Sequence, residues 1–285
     1  MSAIKQFDII KRSYFTGGEL IPIDELESPI GLRVEGGGYI FYDDTVGFPG
    51  SKINIAKNAL ADRWGVDHSY GTYKYDMLRG CVVRESAGTC NRFMVVDETD
   101  MEFLPRRPKG STAGNAITYT STVLAPLMWD IDDDKKTIRD TSEAFGYGST
   151  NTTLLCDVIT SFYTIWGNIQ HFRRNRNPQG SPYTSDSATD TKWFVPSKDE
   201  IYVLSSMATY DSAYRPTTGI YKRQLQLSFS TVYWTSSQYL SSSTSSYESL
   251  VYVLNFQYGS LSYEYKIYES SSGWYVPYTR LCRTF

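Results

Sequence analysis

Between Leu250 and Ile267 the apolar residues fall on every second position. Leu250, Tyr252, Leu254 and Phe256 form one series, and after a turn at Tyr258-Gly259 the residues Leu261, Tyr263, Tyr265 and Ile267 form the next. Successive side chains of an extended strand point to opposite faces, so this spacing predicts two half-buried strands joined as a hairpin. The other face carries Val251, Val253 and Asn255, then Ser260, Ser262, Glu264 and Lys266. A Ser-rich linker has no reason to keep two such stripes, so an ordered sheet is expected here.

The same stretch is written largely in two residue types. Ten tyrosines lie from Tyr233 to Tyr278, interleaved with serines. Tyr offers a large amphipathic contact area for two side-chain rotations and Ser offers small, adaptable hydrogen bonding, the pairing found in antibody-like paratopes. That composition points to recognition rather than catalysis. The run Ser241 to Ser246 has no apolar partner in register and reads as a loop between Tyr239 and Ser249.

Several function classes are disfavoured by composition. With 285 residues the chain can bury a large core as one domain. Its net charge of -3 lacks the basic excess expected of a nucleic-acid binder. The clusters Arg106-Arg107-Lys109 and Arg173-Arg174-Arg176 are short and read as solvated loop charges. No apolar run approaches the roughly 18 residues needed to cross a bilayer, so no membrane insertion is expected. Met1 to Phe15 carries neither a secretory apolar region nor an early lipidation cysteine, which leads to the expectation of a product made in soluble form. The four cysteines match no zinc spacing. Cys81 and Cys90 are close enough to close a loop in an oxidising setting, whereas Cys156 and Cys282 sit in apolar stretches and read as small core residues.

Along the chain, residues 1–30 read as an N-terminal extension or attachment arm, and residues 31–285 as one folded domain. Gly36-Gly37-Gly38 opens through a flexible turn into a strand, Tyr39-Ile40-Phe41-Tyr42. Ile53, Ala56, Leu60 and Trp64 have helical spacing. Residues 66–128 read as loops with short strands. Thr150 to Trp166 predicts a helix capped by Thr150 or Asn151, with Leu154, Leu155, Val158, Ile159, Phe162, Ile165 and Trp166 on one stripe. Residues 180–191 read as a polar loop, followed by a short buried strand, Trp193-Phe194-Val195. Ser197 and Glu200 then form a capping box that opens a helix through Ile201, Val203 and Leu204.

Five segments in order, closed by a sixth, carry a resemblance: Gly36-Gly37-Gly38-Tyr39-Ile40-Phe41-Tyr42, Gly146-Tyr147-Gly148-Ser149-Thr150-Asn151-Thr152, Trp193-Phe194-Val195-Pro196-Ser197-Lys198-Asp199-Glu200, Tyr233-Trp234-Thr235-Ser236-Ser237, Asn255-Phe256-Gln257-Tyr258-Gly259, and finally Arg280-Leu281-Cys282-Arg283. The series is similar to bacterial and phage proteins of C-type-lectin-like fold, and more narrowly resembles the hypervariable proteins diversified by diversity-generating retroelements. The resemblance implies an α+β fold of mixed short strands, two helices and long loops. It also implies misincorporation opposite template adenines, which turns Asn codons into Ser, Tyr and others within a variable region of about 233–278. Carried over by position, the ligand-binding set is Tyr239, Ser241, Ser243, Ser245, Tyr247, Val253, Tyr258, Ser260, Ser262, Tyr263, Tyr265 and Tyr268. Trp274 joins it as a further aromatic anchor. Asn255, Phe256, Gly259, Lys266, Arg280 and Arg283 match the scaffold of the pattern. Tyr263 and Tyr265 share a hairpin face with Leu261, so a bulge or burial of some tyrosines is an open alternative.

Other sites fare worse. Asp130, Asp132 and Asp134 begin like a calcium loop, but Lys135 stands where Gly is needed and Thr141 where Glu is needed. No sugar-binding signature of calcium-dependent lectins occurs, so no metal and no cofactor are expected. His68 and His171 lie in unrelated polar stretches. The expectation is a non-enzymatic receptor-recognition protein that binds an unknown protein or glycan on a cell surface. A phage virion, as a host-adhesion protein, is the expected setting; bacterial cytoplasm or signal-independent surface display is the alternative. A homo-oligomer or virion assembly would add avidity. An enzyme of the formylglycine-generating type and a structural virion protein are the competing readings.

Overall fold

The structure, a computed structural model, describes residues 20–50, 52–101, 141–158, 169, 193–207, 232–239, 250–265 and 277–285. The strands before the first long gap are β1 (Leu20–Pro22), β2 (Tyr39–Asp43), β3 (Phe48–Pro49), β4 (Asn54–Ile55), β5 (Thr72–Asp76), β6 (Cys81–Ser86) and β7 (Phe93–Val96), with helix α1 (Ala59–Trp64) between β4 and β5. Helices α2 (Gly148–Val158) and α3 (Lys198–Met207) follow, then β8 (Val232–Gln238), β9 (Leu250–Asn255), β10 (Ser260–Tyr265) and β11 (Cys282–Thr284). Antiparallel pairing gives three small sheets, ordered β1-β5-β6, β11-β7-β2 and β10-β9-β8, and a β3-β4 ribbon. The chain is therefore α+β.

Strand β7 explains how the ends of the chain meet. Phe93, Met94, Val95 and Val96 are all fully buried, a continuous apolar run suited to a middle strand with neighbours on both sides. β11 closes that sheet, with Phe93 and Phe285 exchanging backbone hydrogen bonds of 2.9 Å in both directions. From β11, buried Arg283 reaches the glycine turn and donates to the carbonyls of Glu35 at 2.6 Å and Gly37 at 2.9 Å. Burial pulls its pKa down to about 10, which still leaves the guanidinium charged at neutral pH. The turn needs glycine at its last position: Gly38 has φ +93°, and an added Cβ would lie 2.6 Å from Val95 Cγ1 and 2.7 Å from the Val96 carbonyl.

Two apolar clusters form the core. The larger joins Ile40, Phe41, Val95, Ile201, Leu204, Tyr233, Leu254 and Phe256, among others. The second gathers Trp193, Val195, Trp234, Val251, Val253 and Leu281. β9 lies between them, sending Leu254 to the first and Val251 and Val253 to the second. Half-burial was expected of this strand; instead both its faces are covered, because it is the middle strand of its sheet with packed side chains on either side.

Four other expectations need correction. Residues 20–30 are not an arm: β1 pairs with β5, and Ile23 and Ile30 are buried in the larger cluster. The helix expected from Ile53 starts only at Ala59, since Asn54–Ile55 pairs with β3 and Asn58 takes φ +66°. Asp44 caps α1 instead, accepting from Leu60 N at 3.0 Å and Ala61 N at 3.3 Å. α2 begins at Gly148, ahead of the expected caps; the Asn151 amide is turned onto Ser142, and Thr150 accepts from Arg63. Residues 159–166 of that predicted helix, the acidic loop at 130–134 and the loop at 180–191 lie outside the described residues. Finally, no disulfide joins Cys81 to Cys90, and all four cysteines are buried thiols. The strand at residues 39–42, the capping box at Ser197 and the strands within residues 66–101 match the sequence reading.

Candidate functional site: the outer hairpin and its tyrosine ledge

The hairpin of β9 and β10 pairs Ser260 with Asn255, Leu261 with Leu254, Ser262 with Val253, and Tyr263 with Tyr252. Opposed residues of an antiparallel pair share a face. Leu261 and Tyr263 therefore stand on the side of Leu254 and Tyr252, and Ser260 and Ser262 on the side of Val253. The hydroxyl and aromatic members of the expected surface thus occupy opposite sides of β10 and meet along one strand, rather than sharing one flat face. Tyr263 is 50% exposed although Leu261 beside it is half-buried, because Leu261 packs on the larger core and Tyr263 extends past it. The described pairing of Tyr263 and Leu261 runs without a bulge.

At the hairpin tip, Asn255 Oδ1 accepts from the backbone N–H of Gln257 at 2.9 Å and Tyr258 at 3.3 Å. This side-chain turn fixes the loop. It drives Phe256 inward against the Tyr233 ring, 4.6 Å between centroids, and leaves Tyr258 outside at 54% exposure. The Gly259 carbonyl accepts from the Lys52 ammonium at 3.3 Å and the Tyr202 hydroxyl at 3.4 Å, which ties the tip to α3 and to the β3-β4 ribbon. Asn255, Phe256 and Gly259 thus hold the turn through their own contacts.

Three tyrosines form a ledge beyond the end of the hairpin's apolar row. Tyr239 stacks on Tyr263 with 4.5 Å between centroids and 21° between planes, and meets Tyr252 edge-on at 5.2 Å and 82°. Such pairs add about 0.5–1.5 kcal/mol beyond area burial. Tyr252 is anchored from below. Burial, then a hydrogen bond to Glu143 and that carboxylate's charge, push its phenol above the ordinary range. Glu143 also pairs with the Lys198 ammonium, which lies 5.2 Å over the Tyr252 ring. Asp199, 3.9 Å from the same ammonium, has its carboxyl raised by burial and by Glu143 despite Lys198.

Beneath the ledge runs a buried polar seam. β8 bulges at Thr235–Ser237, where three residues face the single Tyr252 of β9. The three hydroxyls of the bulge are all bonded. Thr235 Oγ1 donates to the Tyr252 carbonyl at 2.9 Å, Ser237 Oγ donates to the Ser142 carbonyl and accepts from Lys198 N, and Ser236 Oγ accepts from the Asn151 amide. Glu200 is the centre of this seam. Its carboxylate accepts from Ser197 N at 2.7 Å, Gly146 N at 3.0 Å and Gly148 N at 3.2 Å, so one side chain caps the starts of both α2 and α3. Burial outweighs these donors and pushes the Glu200 pKa up to about 7.

Of the expected ligand-binding residues, Ser260, Ser262 and Tyr263 lie along the outer strand with Tyr258 at its tip, and Tyr239, just past β8, stacks on Tyr263. Val253 leaves the set: at 1% exposure it packs with Trp234 and Val251 in the second cluster, where no ligand reaches it. Tyr265 is placed by its backbone alone, opposite Leu250. Ser241, Ser243, Ser245, Tyr247, Tyr268 and Trp274 lie outside the described residues, as does the scaffold position Lys266. Sequence reading missed Tyr252, Lys198, Glu143 and Asp199 as parts of this surface. Tyr252 was hidden in the apolar stripe, and nothing local signals an ion pair whose members stand 55 residues apart.

The described residues contain no group of three His, Cys, Asp or Glu placed to hold a metal ion, and no helix among them is long and apolar enough to cross a membrane. Burial pushes the Cys90 thiol up to about 12 and holds that of Cys282 well above the ordinary thiol range. Comparisons of the chain with protein-family models, with curated proteins and with solved structures give no match.

Proposed function

We propose that this chain is a ligand-binding protein of C-type-lectin-like fold that displays a hypervariable Tyr/Ser surface, diversified by a retroelement, toward a protein or glycan on a cell surface. Host adhesion from a phage virion is the setting this reading favours. One observation supports it above the rest. Tyr258, Ser260, Ser262 and Tyr263 are exposed on an outer strand and its turn, while β9 behind them is buried on both faces. Substitutions at exposed positions usually change stability by less than about 0.5 kcal/mol, so such a support tolerates sequence change at its rim. Binding would rest on a few aromatic anchors with Ser filling between them.

The test is genomic and binding-based together. The reading predicts a nearby reverse transcriptase and a near-copy of the codons for residues 233–285 that differs only at adenines. It also predicts that Ala at Tyr258, Ser260 and Tyr263 together abolishes host-cell binding by a chain that still folds. A copy differing at other bases, or no copy, would remove the diversification; unchanged cell binding would remove the surface.

A further inference from the structure

The tyrosine ledge and the ion pair below it form one continuous patch: the rings of Tyr239, Tyr252 and Tyr263, with Glu143, Lys198 and Asp199 along its edge. Its charge is unbalanced. Among the described residues, the Lys198 ammonium is the cation that faces both carboxylates, and it lies closer to Glu143 than to Asp199, which is 3.9 Å away. The two side chains remain partly open to solvent, Glu143 at 39% and Asp199 at 24%. A half-exposed tyrosine face beside surplus negative charge matches a planar guanidinium, which stacks on aromatic rings and pairs with carboxylates through two parallel N–H donors. Tyr and Arg are also the residues most enriched at the energetic centres of protein interfaces.

We infer that this ledge is a docking subsite for an arginine side chain of a protein partner, with the guanidinium stacked on Tyr263 and paired with Glu143. Tyr252 is the fixed positioning residue: Glu143 holds its phenol, and its ring sets the neighbouring tyrosines. The inference rests on the recognition reading above and narrows its protein-or-glycan alternative to protein.

The probe is N-acetyl-arginine methylamide, titrated into the full chain while the ring resonances of Tyr263 and Tyr252 are followed by NMR. Saturable shifts are expected, with the affinity falling about fivefold or more in Glu143→Gln and in Tyr263→Ala. Tyr263 is half-exposed, so the second variant keeps the test sound if the first folds poorly. The citrulline analogue, equal in shape but uncharged, should give no saturable shift. An equal response to citrulline, no response to arginine, or a response to methyl glucoside alone would overturn the inference. If arginine fails while Ala at Tyr258, Ser260 and Tyr263 still abolishes cell binding, only this inference falls; if cell binding is also unchanged in that variant, the recognition reading falls with it.

Discussion

Replacing Glu200 by Gln tests whether the buried seam under the hairpin is built as described. The side chain is fully buried, and its pKa rises from an ordinary 4.5 to about 7. A shift of that size corresponds to about 3 kcal/mol. Because the folded pKa exceeds the unfolded one, the native state binds the proton more tightly. The stabilisation is complete below about pH 4.5 and is lost as pH rises through about 7. Urea unfolding at half-unit steps from pH 4 to 8 gives the two curves. Wild type should lose about 3 kcal/mol relative to the Gln variant across that window, since Gln does not titrate. At pH 4 the variant should be weaker by about 1–3 kcal/mol, because its amide turns one acceptor into a donor facing backbone N–H groups, and that gap should close or reverse as pH rises through about 7. Parallel curves for the two proteins would refute the assignment of the shift to Glu200.

Other outcomes follow from packing and backbone geometry. Trp234→Ala should cost about 3–5 kcal/mol by urea denaturation, because the ring is 1% exposed in the second cluster. Gly38→Ala should cost more than about 2 kcal/mol, since a methyl at φ +93° meets Val95 and Val96. Gly65→Ala at φ +62°, with open space around it, should cost only about 1–2 kcal/mol. A reversed order of those two melting temperatures would contradict the turn packing. Val253→Ser should destabilise the fold, as a buried hydroxyl without a partner does, whereas Ser262→Val on the paired strand should leave stability nearly unchanged.

Local chemistry was legible in the sequence, and long-range chemistry was not. The capping box at Ser197 and Glu200 could be read from a three-residue spacing, but the same carboxylate also caps Gly148, 52 residues earlier, and no local pattern encodes that. The hairpin was legible from its period of two. The burial of β9 on both faces was not, because it depends on Trp193, Leu281 and other residues of distant segments packing behind Val251 and Val253. Val253 entered the ligand-binding set through the resemblance, and those distant segments bury it. The spacing of Ile53, Ala56, Leu60 and Trp64 suits a helix and equally suits a short ribbon followed by one and a half turns; Asp44, from another part of the chain, decides where the helix starts. The place of Arg283 in the scaffold pattern came from resemblance alone; the carbonyls it bonds, those of Glu35 and Gly37, stand 248 and 246 positions away.

The central claim is that the outer strand displays side chains the fold does not need. Its most direct measurement is equilibrium unfolding of a single variant carrying Ala at Tyr258, Ser260, Ser262 and Tyr263. The account predicts a cooperative transition within about 2 kcal/mol of wild type, the sum of four exposed substitutions. Loss of the cooperative transition, or a drop beyond about 4 kcal/mol, would show that these residues hold the molecule together and would contradict the account.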